Sequence, residues 1–267
     1  MTEEQYRRRW LRQHNSYERT AYSIFSRSFR ETALRIPFNF INENNYEQII
    51  NNAITTTEIT NAYYEVYNEI GQIHGTRTGN SINRQLKDFI ESIFLNQFQR
   101  TLLTWLLNNA GTRITTVSQT YADYIIQEIA RGLAGEESIR DIVSNIQRRL
   151  NNPRSGWYRW QLLRIARTET TAAANHGATV ATQISGVATD KVWISADDSR
   201  VRRPPKSIFN HAAMNGVKID QNEKFNVNGD LIDFPGDPKG EAGNIINCRC
   251  ASAVVVRRDN EGNIIRI

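Results

Sequence analysis

A chain of 267 residues, 39% of them hydrophobic, holds enough apolar material for one large or two medium domains, and none of its apolar runs, such as ASAVVV, approaches a membrane span. Its net charge of +5 is a modest excess that argues against a dedicated nucleic-acid wrapper, and the opening MTEEQYRRRWLRQH puts charges where a signal peptide is apolar. The expectation is a soluble protein made in a reducing cytosol.

From residue 3 to about residue 185 the pattern is helical. The first predicted helix carries Arg7, Arg8, Arg9, Arg12 and Arg19, a crowd that would attract a polyanion such as duplex DNA; the alternative is a solvated or internally paired helix face. In YEQIINNAITTTEITNAYYEVYNEIGQIHG, apolar residues at Tyr46, Ile49, Ile50, Ala53, Tyr63, Val66, Ile70 and Ile73 predict one amphipathic helix, weakened in its middle by Thr55, Thr56 and Thr57. A helix from Ser81 to about Asn109 comes next, with Leu86, Phe89, Ile90, Ile93, Phe94, Leu102, Leu103 and Leu106 as its stripe and the glycine of NNAG as its stop. Another covers about Thr115 to Leu133. Gly132 and Gly135 then break the chain, Ser138 caps a helix with Asp141 three residues on, and Pro153 stops it.

The last long helix, about Gly156 to Ile184, places Arg164, Arg167 or Thr168, Thr171 and Asn175 on one side. That side is either a solvent face or an anchor, and for Arg167 and Asn175 the expectation is an anchor to the β-rich segment beyond Gly186. After Gly186 the character changes. DKVWISA is β-prone, KFNVNGDLIDF signals a hairpin turning at Asn228 and Gly229, and CASAVVVRRDNEGNIIRI reads as two strands joined at NEG. The fold expected is mainly α with a C-terminal α+β module: a long-helix N-terminal region followed by a small β-hairpin-rich domain.

Both cysteines, Cys248 and Cys250, lie in GNIINCRCASAVVV with one residue between them. On an extended backbone their Cα atoms stand roughly 6.5–7 Å apart, at the limit for a disulfide, while their sulfurs point the same way. Of the four histidines only His211 shares their module, so a zinc site on His211, Cys248 and Cys250 with a nearby carboxylate is one reading. Reduced cysteines that simply pack beside a strand are the other. Nucleophile chemistry has no local support, because no glycine-flanked elbow, phosphate-cradling loop or H-E-x-x-H occurs, and a non-enzyme is expected.

The ordered segments IARTETTAAANHG, KVWISADDSRVR, HAAMNG and FPGDPKGEAGNIINCRC resemble the C-terminal domain of phage head morphogenesis proteins, the group typified by Mu F-like minor head proteins. ARGLAGEESIRDIVSNIQRRL resembles the helical stretch that precedes it. The resemblance spans about residues 125 to 258, with NCRC as its most recognisable piece. It implies a division into 1–124 and 125–267, the latter helical over 125–185 and α+β over 186–267. The family pattern falls on Arg167, Thr168, Glu169, Asn175 and Gly177, then Asp198, Arg200 and Arg202, then His211 and Gly216, and finally Pro235, Asp237, Asn247, Cys248, Arg249 and Cys250. One departure is the insert RPPKSIFN between Arg202 and His211, which is expected to displace His211 from the cysteines.

The resemblance implies a structural virion protein of a tailed bacteriophage, inside the capsid near the portal vertex and made in the host cytoplasm. Its implied partners are the portal protein, capsid or scaffolding proteins and packaged double-stranded DNA, with roles in head assembly, DNA packaging or DNA delivery. No cofactor is implied beyond the zinc alternative. A second reading is a metal-dependent nuclease or hydrolase acting on phage DNA through His211, Asp237, Cys248 and Cys250.

Overall fold

The computed structural model describes residues 2–86, 91–152 and 156–267. Helix α1 (Glu3–Leu34) opens on a capping box: Thr2 Oγ1 accepts from Gln5 N, and the Gln5 side chain accepts from Thr2 N. Both amides would otherwise lack an intrahelical partner. Trp10, His14, Tyr17, Ala21, Ile24, Phe25 and Phe29 recur every three or four residues and form its buried stripe.

The periodicity predicts a single helix where the structure has α2 (Tyr46–Ala53) and α3 (Thr56–Val66). Thr55 is the reason. Its backbone is extended and its hydroxyl accepts from Thr57 N, so the threonine run starts a new helix instead of weakening an old one. A π-helical stretch, Tyr67–Gly71, leads from α3 into α4 (Gln72–Leu86), and α5 (Glu91–Asn109) and α6 (Gly111–Ala134) come after it. The helix predicted from Ser81 to Asn109 is thus shared between α4 and α5. Of its stripe, Leu102 and Leu106 are buried, whereas Phe89 and Ile90 lie outside the described residues, as do the side chains of Ile93, Phe94 and Leu103. Gly111 begins α6 and does not act as a stop.

Gly132 also stays helical. A Cβ there would come within 2.4 Å of the Ile142 side chain, so the glycine permits α6 to meet α7 (Ile139–Asn151) closely. Ser138 caps α7 as its spacing predicts, accepting from Asp141 N at 3.2 Å; Pro153 lies outside the described residues. Helix α8 (Gly156–Ile184) has the predicted extent and packs against α1, α4 and α5. At its crossing with the π stretch, a Cβ on Gly177 would stand 2.2 Å from Gly71 O.

Strands β1 (Thr189–Ile194), β2 (Lys218–Asp220) and β5 (Ala251–Val256) form an antiparallel sheet in the order β2-β1-β5, with Asp190 opposite Val255 and Trp193 opposite Ser252. Strands β3 (Phe225–Val227) and β4 (Asp230–Ile232) form the predicted hairpin, turning through Asn228 and Gly229 at φ of 54° and 93°. A one-turn helix α9 (Ala242–Ile245) precedes the cysteines. The second strand predicted after NEG does not form; Ile264 and Arg266 make isolated bridges to Arg258 and Val187. The tail alternates between two partners, Arg257 on one side and residues 186–188 on the other, so no ladder propagates.

One apolar core runs from α1 through α8, passing Tyr124 and Ile125 without a break and ending at Ile194, Ala251 and Ala253. A second, much smaller cluster contains Trp193, Phe209, Phe225, Val227 and Ile232 together with both cysteines. The architecture is mainly α with a C-terminal α+β module, as expected.

Candidate functional site

A short row of side chains on α8 meets the backbone of the segment leading into β5. Thr168, Thr171 and Asn175 are three and four residues apart, which puts them on one helix face. Thr168 Oγ1 accepts from Asn247 N at 3.0 Å, and Thr171 Oγ1 donates to Cys248 O at 2.5 Å. Asn175 Nδ2 donates to Pro235 O and Cys250 O, while its Oδ1 accepts from Ser252 N at 2.8 Å. From the other side Trp10 Nε1 of α1 donates to Arg249 O at 2.8 Å. Residues 247–250 and the first turn into β5 are therefore held largely by side chains, which satisfies buried peptide groups ahead of the strand.

Arg167, Thr168 and Glu169 are consecutive and point to three different elements. Arg167 makes a two-pronged pair with Glu18 of α1, at 3.0 and 2.8 Å, and reaches Asn247 Oδ1 at 3.4 Å. Of the two predicted anchors, then, Asn175 binds the β-rich module directly and Arg167 chiefly binds α1. Glu169 is fully enclosed, accepting from Tyr63 OH at 3.1 Å and Tyr67 OH at 3.3 Å and pairing with Arg113 at the start of α6. Burial, reinforced by the Glu169 charge, raises the pKa of both tyrosines far above the usual phenol value.

Asp198 and Arg249 join the two remaining motifs. Arg249 donates to both carboxylate oxygens of Asp198, at 2.6 and 2.8 Å, and Arg200 N donates to the same carboxylate at 2.9 Å. Burial opposes ionisation of Asp198, but these hydrogen bonds outweigh it and its pKa is lowered. Arg202 donates to Ile246 O, one residue before Asn247. Gly216 adopts φ of +79°, disfavoured for other residues, and donates to Trp193 O at 2.8 Å, which sets the turn before β2.

His211, Cys248 and Cys250 come together, contrary to the displacement expected from the RPPKSIFN insert. That insert closes on itself, with Ala212 N donating to Arg202 O at 3.2 Å, so its length is absorbed in a loop. Both sulfurs stand 3.6 Å from His211 Nδ1, and all three potential ligand atoms lie within 4.8 Å of one another in a buried pocket. The thiols are free. Each cysteine acts on the other: the Cys250 side chain holds the Cys248 pKa well below the usual thiol value, and the Cys248 side chain, with burial, pushes that of Cys250 up. Asp237 does not join them. Its carboxylate accepts from Asp233 N at 2.8 Å and Lys239 N at 3.1 Å, capping the turn at Pro235, so the four-residue nuclease site is not assembled.

Among the arginines of α1, Arg7 turns inward, donating to Ser195 O at 3.1 Å and pairing with Glu3, Glu4 and Asp197. It is removed from any exposed cluster. Arg8 pairs with Glu4, and Arg9, Arg12 and Arg19 are exposed. The sequence reading missed Glu18, His14, Trp10, Tyr63, Tyr67 and Arg113, the partners of the motif residues. His14 Nε2 lies 2.9 Å from Thr171 Oγ1; since that hydroxyl donates to Cys248 O, the imidazole is the donor in this link.

A family model described as phage Mu protein F like protein matches residues 119–253, half of the chain, beginning within α6 and ending within β5. The chain belongs to this family. It is a family of structural phage head morphogenesis proteins, so the chain is a phage head morphogenesis protein. Comparison with curated proteins and with solved structures gave no match. Glu18, His14, Trp10, Tyr63, Tyr67 and Arg113 all precede the Mu F-like segment, so its motif residues are completed by the helices that come before it. No helix among the described residues is long and apolar enough to cross a membrane.

Proposed function

We propose that this Mu F-like chain is a minor head protein of a tailed bacteriophage, located by the portal vertex inside the capsid, and that it acts in head assembly and in the packaging or delivery of DNA. The observation that carries this reading is the use of the motif residues: Arg167, Thr168, Glu169, Asn175, Asp198 and Arg249 all bind other parts of the same chain. Each ties one segment of the chain to another, which is a structural use. The portal protein and capsid or scaffolding proteins are its partners in this reading.

Exposed basic groups provide its contact with packaged DNA. Arg8, Arg9, Arg12 and Arg19 fall within about 100° of one another around α1, since each residue advances about 100°. A second basic surface surrounds the concavity lined by Arg200, Arg202, Arg203 and Lys206. Contacts of this kind neutralise phosphates without reading bases.

Co-purification with the portal and with mature particles tests the location; absence from both removes the assignment. For DNA, substitution is a cleaner probe than truncation, because Trp10, His14 and Tyr17 of the same helix are buried in the interior. Replacing Arg9, Arg12 and Arg19 by Gln is expected to flatten the log-log salt dependence of duplex binding by about 0.9 per lost phosphate contact. An unchanged slope transfers the contact to the Arg200–Lys206 surface. Incubation with DNA and divalent ions separates the nuclease reading, which requires cleavage.

A further inference from the structure

We propose that Cys248 Sγ, Cys250 Sγ and His211 Nδ1 bind a zinc ion that locks the C-terminal module in its folded form. In a tetrahedral site with Zn–S near 2.3 Å and Zn–N near 2.0 Å, a sulfur and a nitrogen ligand stand about 3.5 Å apart. Both cysteine sulfurs are 3.6 Å from Nδ1. A single imidazole lone pair takes one proton, so two sulfurs equidistant from it are placed for a shared centre more than for two hydrogen bonds.

The surroundings orient the ligands. His211 Nε2 lies 2.6 Å from Asn244 Oδ1, and Asn244 Nδ2 donates to Asp230 Oδ2 at 2.7 Å. Because the amide nitrogen of Asn244 is committed to Asp230, its oxygen faces the ring, which fixes the proton on Nε2 and leaves Nδ1 free to ligate. A carboxylate acting through an intermediate group on the far nitrogen of a histidine is a recurrent support for metal-bound imidazole. Cys250 N directs its hydrogen at Cys248 Sγ over 3.5 Å, a contact that favours a thiolate. Two thiolates and an imidazole suit zinc and disfavour the oxygen-seeking magnesium and calcium. Three protein ligands are available among the described residues, so a water-derived ligand completes the tetrahedron.

The module has reason to need such a lock. The apolar cluster around the cysteines is small and its strands short, and His211, Asn244, Asp230 and the cysteines come from four separate segments. Binding at the three ligands ties the His211 segment directly to the residues that enter β5, and the Asn244 and Asp230 hydrogen bonds extend that tie to α9 and β4.

The test uses the full chain purified under reducing conditions. One zinc per chain is expected, together with a rise in melting temperature when zinc is added to chelator-treated protein. Cobalt substitution should give thiolate charge-transfer absorption and the d–d bands of a tetrahedral ion. Asn244→Ala should keep the fold and the cobalt spectrum while weakening affinity about 10- to 100-fold in chelator competition. Cys248→Ser and His211→Ala should abolish stoichiometric binding; if either fails to fold, the wild-type cobalt spectrum and the Asn244→Ala affinity still decide. Wild-type protein that takes up neither zinc nor cobalt stoichiometrically, or whose cobalt spectrum lacks thiolate bands, overturns the proposal.

Discussion

The two faces of α8 hold their neighbours by different means. Toward the N-terminal helices, Glu169, His176 and Gly177 sit in a large apolar core, where a few polar groups are enclosed: Glu169 with Arg113, and His176 stacked on Trp105 with ring centroids 3.7 Å apart. Toward the C-terminal module, Thr168, Thr171 and Asn175 bind main-chain atoms of the segment entering β5. The difference separates a face whose integrity rests on packing and on a buried charge from one that rests on neutral hydrogen bonds. Losing a partner should therefore cost most where a charge is stranded.

The largest effect is expected from Glu169→Ala, which leaves Arg113 enclosed without its carboxylate and should destabilise by about 3–5 kcal/mol. Urea unfolding measures it. Adding Arg113→Met should recover much of the loss, and a double variant no better than the single would place the penalty elsewhere. Asn175→Ala deprives Pro235 O, Cys250 O and Ser252 N of a partner and should cost about 2–4 kcal/mol. Its signature is location: hydrogen exchange should rise around β5 before it rises in α4 or α5.

Gly177→Ala tests packing alone. Its Cβ would meet the Gly71 backbone, which cannot rotate away, so a loss of about 1–3 kcal/mol is expected. A variant as stable as the parent would show that the helices can part without cost.

The smallest effect per unit is a dependence on pH. His14, His74 and His176 are buried, and burial lowers their pKa values to about 3, about 4 and about 3 respectively. Arg249, Arg167 and Arg200 add to this at His14, Arg77 and Arg9 at His74, and Lys239 at His176, while the Glu18 carboxylate lies 3.8 Å from His14. Unfolding frees each ring to titrate near 6.5, so below that pH the unfolded chain binds more protons than the native one. Stability should be fully present above about pH 6.5 and fall as pH drops toward 4. Neither ring nitrogen of His74 or His176 has a hydrogen-bond partner among the described residues, so His176→Phe should shallow this acid limb. An acid limb unchanged by the substitution would mean that carboxylates govern it.

Much of the helical layout was legible because it depends on local periodicity. α1, α6, α7 and α8 and the Asn228–Gly229 hairpin follow from apolar spacing, a Ser138 cap and a turn pair, each readable within a few residues. The errors came where a residue has two local uses. Thr55 lowers helix propensity and also caps; Gly132 and Gly111 loosen a helix and also permit close packing or a sharp junction. Only the surroundings choose between these uses.

The candidate site divides in the same way. That Cys248 and Cys250 carry their sulfurs on one side of an extended segment, and that Thr168, Thr171 and Asn175 share a helix face, can be read from the chain alone, because both relations depend on backbone geometry over a few residues. Folding in three dimensions was needed to show that His211 reaches the sulfurs despite the insert, that Asp237 does not, that Arg7 turns inward, and that Glu169 is completed by Tyr63, Tyr67 and Arg113. Most of those partners lie tens of residues or more away along the chain, and loop closure and core packing, which no short window encodes, bring them together.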